Sequence, residues 1–157
     1  MRESDCADVV IKPPLLFLGA LGLGYLLSRY LPVGPGLASP NALCLTVGLI
    51  FVAVGFALAI RSVQMFRRAG TNVVPGEPAT ALVMTGPYRV TRNPIYIGFV
   101  LVYFGLSIVL TSMWILLLLL PVLVILQRGV VRREEAYLER KFGEAYHAYT
   151  KRVPRWL

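Results

Sequence analysis

The chain has 157 residues, of which 57% are hydrophobic and only 15% charged, and its mean hydropathy of +0.68 is well above that of an ordinary soluble domain. Its net charge is +8, but the basic residues cluster beside hydrophobic runs and the aromatic residues do not interleave with them as a stacking platform, which argues against a nucleic-acid partner. Cys6, Cys44 and one histidine form neither a disulfide framework nor a metal-ligand cluster, so no metal is expected. We therefore expect a single membrane-embedded domain over residues 1–157.

The first part of the chain contains two hydrophobic segments. The first runs from about Pro13 to Leu31, too far from a basic start at Met1 and without a small-residue cleavage site, so a removed signal peptide is the weaker interpretation. The breaker-rich stretch 32–36 follows, and Ser39-Pro40-Asn41 then offers a helix start. The second segment runs from about Ala42 to Ile60 and is expected to continue as helix to Arg68. Each segment is long enough to cross a membrane.

A long uncharged region follows, with no Asp, Glu, Lys or Arg from Asn93 to Gln127. It is too long for one membrane span and suits two helices joined at Thr111-Ser112. Each helix would have about 17 residues, or about 25 Å, slightly short for a hydrocarbon core of about 30 Å. Pro121 is expected to kink the fourth helix or to be accommodated by its neighbours. The sequence thus predicts an all-α fold, a polytopic bundle of about four transmembrane helices.

The basic residues predict the orientation of this bundle. Thirteen of the 16 Lys and Arg residues lie between Arg61 and Arg155, in the second connection or in the C-terminal segment. The positive-inside bias therefore places both regions and both termini in the cytoplasm, in an inner or plasma membrane. The C-terminal segment is expected to be one cytoplasmic amphipathic helix, either facing the bundle or lying on anionic lipid. Its apolar positions are Leu138, Phe142, Ala145 and Tyr149.

Two polar clusters flank the uncharged region and are expected to close around one site. The first cluster, residues 85–98, is broken by proline and glycine at a membrane boundary, where backbone groups must find partners. The second cluster covers residues 132–156. In chain order, the two clusters contain Gly86-Pro87-Tyr88, Arg92-Asn93-Pro94-Ile95-Tyr96-Ile97-Gly98, Glu134-Glu135, Phe142-Gly143, Tyr146, Tyr149 and Val153-Pro154-Arg155.

This ordered pattern resembles the superfamily of integral membrane methyltransferases that contains the isoprenylcysteine carboxyl methyltransferases and the phospholipid methyltransferases. The resemblance covers about residues 70–155, which would form the catalytic half. One position departs from the family pattern, because Asn93 stands where the family has histidine. An amide can donate or accept a hydrogen bond but does not titrate near pH 7, so Asn93 suits a holding role and not that of a general base.

The resemblance implies that S-adenosylmethionine is the cofactor. No Gly-x-Gly-x-x-Gly motif follows a strand here, so the cofactor would be held without a Rossmann fold. Tyr88 and Tyr96 can offer hydroxyl groups and aromatic faces, although membrane-interface anchoring is the alternative for both. By similarity, Glu134 would bind the ammonium group of the cofactor and Gly98 would leave room for close approach. The expected cofactor-binding residues are Leu82, Val83, Tyr88, Asn93, Pro94, Tyr96, Gly98 and Glu134.

The methyl acceptor is expected to be a lipophilic molecule or membrane lipid that arrives from the bilayer. A carboxylate acceptor needs a cation to seat it, which Arg128 or Arg132 could supply, although both could also serve as interfacial anchors. An amine acceptor must lose a proton, for which Glu135 is the nearby base. The arginines favour a carboxylate such as that of an isoprenylcysteine. The alternatives are a phospholipid amine, or lipid binding without catalysis on the same scaffold.

Overall fold

A computed structural model gives the structure of residues 9–34, 39–73 and 77–157, and these residues form helices without any strand. Cys6 and the Pro35-Gly36 part of the predicted turn lie outside the described residues. The helices are α1 (Pro13–Tyr30), α2 (Ala42–Arg68), α3 (Pro94–Val109), α4 (Met113–Leu126), α5 (Arg132–Phe142) and α6 (Glu144–Thr150), with a 3₁₀ turn at Gly86–Arg89 and a π-helical segment at Gln127–Val131. The all-α prediction is confirmed for this part of the chain.

Local sequence signals set the helix ends. The side chain of Asn41 accepts a hydrogen bond from the backbone N of Cys44 at 2.8 Å and caps α2, which continues to Arg68 as predicted. The hairpin turn also lies where the sequence predicts it. There the hydroxyl of Ser112 accepts a hydrogen bond from the backbone N of Ile115 at 3.2 Å and caps α4. Short polar side chains stabilise both helix starts because the first N–H groups of a helix lack partners within it.

Helices α2 and α3 pack backbone against backbone at paired glycines. A Cβ atom added at Gly98 would lie 2.7 Å from the carbonyl oxygen of Gly55, and one added at Gly105 would lie 2.6 Å from the carbonyl oxygen of Gly48. Both distances are shorter than any ordinary contact. The two glycines of each helix are seven residues apart, so they recur on one helix face. This glycine contact fixes the distance between α2 and α3.

The outer surface of the bundle is apolar, as expected for contact with lipid. Leu18 on α1, Leu43 on α2 and Leu120 on α4 are each more than 60% exposed. Two helices of the described chain are long and apolar enough to cross a membrane: Ala42–Arg68 and the continuous helix Met113–Phe142. Pro94–Val109 is a shorter apolar helix. These features are those of a membrane protein, while the crossing of four helices and the cytoplasmic termini remain predictions.

The C-terminal segment differs from the single amphipathic helix that the sequence predicts. It forms two helices, α5 and α6, because Gly143 adopts φ +48° and ψ −122°, a backbone conformation that favours glycine. The π-helical segment Gln127–Val131 joins α5 directly to α4. The predicted fourth span and the predicted amphipathic helix are therefore parts of one long helix, and the break lies further along the chain.

Candidate functional site

A cavity lies where the two polar clusters meet. Its walls come from the end of α2, the connection after α2, the 3₁₀ turn, the start of α3, and helices α5 and α6. The lining residues are Phe66, Asn72, Val73, Glu77, Ala79, Ala81, Leu82, Val83, Tyr88, Arg92, Asn93, Ile95, Tyr96, Glu134, Glu135, Tyr137, Leu138, Tyr146 and Tyr149. The expectation that the two clusters share one site is thereby met in the geometry of the described residues.

Glu134 and Tyr96 form a hydrogen-bonded pair in the cavity wall. The hydroxyl of Tyr96 donates to Oε1 of Glu134 at 2.8 Å. Burial raises the pKa of Glu134 to about 7, the hydrogen bond from Tyr96 opposes this rise, and the charge of the neighbouring Glu135 adds to it. Glu134 lies beyond Gln127, where the uncharged part of the long helix ends. A carboxylate held in this way is poised to accept a cationic group.

Glu135 has a different environment from its neighbour. Its Oε1 lies 2.8 Å from Nη1 of Arg92 and accepts a hydrogen bond from Nε of Arg155 at 2.9 Å. Its Oε2 lies 2.7 Å from Nη2 of Arg155. Both carboxylate oxygens are thus engaged by guanidinium groups, which occupy acceptor positions of this carboxylate. This arrangement suits an ion-pair anchor and weighs against the expectation that Glu135 serves as a general base.

The C-terminal residues lie against the first polar cluster through backbone carbonyl groups. The carbonyl oxygen of Arg155 accepts hydrogen bonds from the hydroxyl of Thr91 at 3.0 Å and from Nδ2 of Asn93 at 2.9 Å. The backbone N of Arg92 donates to the carbonyl oxygen of Pro154 at 3.0 Å. Asn93 is only 8% exposed and also lines the cavity. Its side-chain amide therefore contacts the C-terminal segment, while the cofactor contact that the resemblance implies for Asn93 stays a prediction.

Tyrosines complete the walls of the cavity. Tyr149 donates a hydrogen bond to the carbonyl oxygen of Tyr88 at 2.7 Å, which ties α6 to the 3₁₀ turn. Burial raises the pKa of Tyr88 above its usual range, so this phenol stays neutral. The hydroxyl of Tyr137 accepts a hydrogen bond from the backbone N of Ala79 at 3.0 Å and fixes the connection after α2. The structure adds Tyr137 to the cavity wall. Tyr137 lies on the highly charged helix α5, and nothing in the sequence there indicated that its side chain would face the cavity.

The structure brings together seven of the 11 residues expected at the site and leaves four outside the cavity lining. The seven are Leu82, Val83, Tyr88, Asn93, Tyr96, Glu134 and Glu135. Pro94 is fully buried at the start of α3. The close approach at Gly98 is made by helix α2, through Gly55, and not by the cavity. Arg128 and Arg132 are exposed and do not line the cavity.

The charges of the cavity favour a cationic ligand. Among the described residues, its wall carries three carboxylates, Glu77, Glu134 and Glu135, and one guanidinium group, that of Arg92. In the same part of the chain no group of three or more His, Cys, Asp or Glu residues could hold a metal ion. Carboxylate, phenol and apolar groups together suit an organic cation that also carries an aromatic ring.

Comparison with known proteins identifies a family. The sequence model of the phospholipid methyltransferase family matches residues 43–145, which is about two thirds of the chain. The chain is also similar to the nickel-cobalt-cadmium resistance protein NccN of Alcaligenes xylosoxydans xylosoxydans, with 31% identity over 81 residues. That match covers 52% of this chain but only 38% of the resistance protein.

Proposed function

Because the chain belongs to the phospholipid methyltransferase family, we propose that it is an S-adenosylmethionine-dependent membrane methyltransferase acting on a lipophilic acceptor. The observation that carries the proposal is the pair of Glu134 and Tyr96, 2.8 Å apart in the wall of an acidic, aromatic cavity. The pair joins the two halves of the family pattern across 38 residues of sequence. The family supports the reaction class, and this pair supports the proposed place of the cofactor.

The cavity residues fit the chemical groups of the cofactor. Glu134 would hold its ammonium group, and the aromatic ring of Tyr88 would face its cationic part. Leu82 and Val83 would provide an apolar wall for the adenine. When bound, the cofactor supplies a methyl group already activated on a sulfonium, so the chain needs to align donor and acceptor and to exclude water. Tyr96 fixes the direction of the Glu134 carboxylate, which would orient the cofactor when bound.

The acceptor that the charges favour is an amine, such as that of a phospholipid. A carboxylate acceptor needs a cation beside the cofactor, and Arg128 and Arg132 lie outside the cavity lining, while Arg92 is engaged by Glu135. An amine enters an acidic site readily. The ammonium form must pass its proton to water before methyl transfer, because Glu135, the nearby candidate base, is engaged by Arg92 and Arg155. An isoprenylcysteine-like carboxylate is the second candidate acceptor.

Cofactor binding can be tested by titrating the detergent-purified protein with S-adenosylhomocysteine in a calorimeter. Glu134→Ala should weaken binding by about 1.5–3 kcal/mol, or about 10- to 150-fold, the scale of a lost charged hydrogen bond. Glu139→Ala is the matched control, because Glu139 lies on the same helix with its side chain 54% exposed and pairs with His147 at 3.3 Å. Equal affinity of the wild-type protein and a folded Glu134→Ala variant would remove Glu134 from the cofactor site.

Methyl transfer from a labelled cofactor to defined acceptors then tests the reaction. Phosphatidylethanolamine vesicles and a farnesylated cysteine peptide separate the amine from the carboxylate acceptor. Labelled lipid supports the first candidate, and a base-labile methyl ester on the peptide supports the second. Cofactor binding with no transfer to either acceptor or to a total lipid extract would favour a non-catalytic lipid-binding protein.

A further inference from the structure

Arg155 contacts both polar clusters at once. Its backbone carbonyl accepts hydrogen bonds from Thr91 and Asn93, at 3.0 and 2.9 Å. Its guanidinium group forms a two-point contact with Glu135 on α5, through Nε at 2.9 Å and Nη2 at 2.7 Å. A fork of this kind fixes both the position and the direction of a carboxylate. Arg155 thus links the start of α3 to the helix that carries Glu134.

The two adjacent carboxylates on α5 differ because their partners differ. Glu135 has two guanidinium partners, whereas Glu134 has the neutral hydroxyl of Tyr96. Without a cation on Glu135, its negative charge would oppose a second charge at the next residue. The titratable or charged groups that surround Glu134 in the cavity are Glu77, Tyr88, Arg92, Tyr96, Glu135, Tyr137, Tyr146 and Tyr149.

We infer that Arg155 is a positioning residue for the proposed cofactor site, which holds and neutralises Glu135 so that Glu134 is left to meet the cationic end of the cofactor. Arg155 itself does not line the cavity, so it acts through Glu135 and not by touching the cofactor. The inference rests on the proposed function, since it assigns Glu134 to the cofactor. It gives a physical role to the arginine that follows the acidic pair of this chain 20 residues further on.

The electrostatics agree with this geometry. The hydrogen bond to Glu135 raises the pKa of Arg155, and the charge of Glu135 is one of the causes that raise the pKa of Glu134. Loss of the charge on Arg155 leaves Glu135 less compensated, so the ionisation of Glu134 requires a higher pH. Because Arg155 is partly exposed, we expect the change to be on the order of half a unit to one unit of pH.

The test is the affinity for S-adenosylhomocysteine across the range of about pH 5.5 to about pH 8.5, measured by calorimetry for wild-type protein and Arg155→Gln. In Arg155→Gln the pH midpoint for the ionisation of Glu134 should rise by about 0.7 unit. Binding should then be about fivefold weaker than in the wild-type protein at about pH 6 and within about twofold of it at about pH 8.5. Arg152→Gln is the matched control, because it removes the same charge three residues away, where Arg152 is exposed and donates to the carbonyl oxygen of Ala148. This control should keep the wild-type profile.

A double variant separates the effect of charge on the pH midpoint from damage to the fold caused by Arg155→Gln. Glu135→Gln combined with Arg155→Gln replaces the ion pair by two neutral amides that can still hydrogen-bond, and the midpoint should return to the wild-type value or below. Equal weakening by Arg155→Gln at every pH, or no change, would overturn the inference, as would a double variant whose midpoint stays raised. Failure of the wild-type protein to bind at any pH would instead overturn the proposed function together with the inference.

Discussion

The glycine contact between α2 and α3 leads to a prediction about Gly98. A Cβ atom on Gly98 would lie 2.7 Å from the carbonyl oxygen of Gly55 and 3.0 Å from Cβ of Ala59. The first distance is 0.7 Å shorter than the 3.4 Å at which ordinary contacts begin. Gly98→Ala must therefore push the helices apart. The paired glycines Gly48 and Gly105, one heptad away, resist that movement.

We expect Gly98→Ala to cost about 2–3 kcal/mol of stability, the upper part of the range for overpacking, because the obstructing atom is backbone. Gly22→Ala on α1 is the control, since nothing lies within 4 Å of a Cβ atom added there. That control should be neutral or stabilising by up to about 1 kcal/mol, the difference in helix propensity between glycine and alanine.

The measurement is thermal unfolding of both variants in the same detergent, followed by titration with S-adenosylhomocysteine at a temperature where each is folded. The contact predicts a lower melting temperature for Gly98→Ala only, accompanied by weaker binding because Tyr96 lies two residues away on α3. Unchanged melting with a selective loss of binding would refute the packing explanation. That result would restore the view, taken from the family resemblance, that Gly98 makes room for the cofactor.

Three further predictions concern the site and its orientation. Wild-type affinity for S-adenosylhomocysteine should rise between about pH 6 and about pH 8, because Glu134 has a pKa of about 7 and only its ionised form attracts an ammonium group, and Glu134→Gln should abolish this dependence. Asn93→His should stay within about threefold of wild-type affinity because a ring N–H can replace the amide donor, whereas Asn93→Leu should weaken binding by a larger factor. Cysteines introduced at Thr80 and Lys151 in a protein without native cysteines should react with an impermeant reagent only after the membrane is opened, and reaction in intact cells would contradict the cytoplasmic orientation.

The sequence predicts the helices of the bundle well because their signals are local. An uncharged run, a capping Asn41 and the short turn before Met113 each act within a few residues, and the structure has helix ends at these places. The pairing of Gly55 with Gly98 has no such signal. A glycine in an apolar helix is equally compatible with an open face, as at Gly22, and only the position of the second helix distinguishes the two cases.

The faces of the last long helix could not be predicted, because the residues from Gln127 to Val131 are π-helical. The rotation per residue of an α-helix does not hold through such a segment. Arg128 lies inside this segment and Arg132 begins α5, and both side chains are exposed and do not line the cavity. Because the segment is π-helical, the face of the helix on which Glu134 lies cannot be predicted by continuing the α-helical pattern of α4.

The break at Gly143 was hidden by its neighbours. The apolar residues on either side of it keep a helical spacing, so a stripe can be drawn through the glycine although the backbone turns there. The positive φ of Gly143 ends α5 and directs α6 back over the cavity, where Tyr149 reaches the carbonyl oxygen of Tyr88. A continuous helix would carry Tyr149 away from the 3₁₀ turn, since each residue adds about 1.5 Å along the axis.

The lengths of the two hairpin helices set the distance along the chain between the two polar clusters. Helix α3 has 16 residues and α4 has 14, so the chain leaves one side of the bundle at Asn93 and returns to the same side near Gln127. The hydrogen bond of 2.8 Å between Tyr96 and Glu134 depends on this return. One residue inserted in either helix would rotate the following residues by about 100° and shift them by about 1.5 Å, which is enough to break that bond. The lengths of the hairpin helices therefore determine whether Tyr96 and Glu134 meet. The contacts of Arg155 with Asn93 and with Glu135 then hold α5 beside the start of α3.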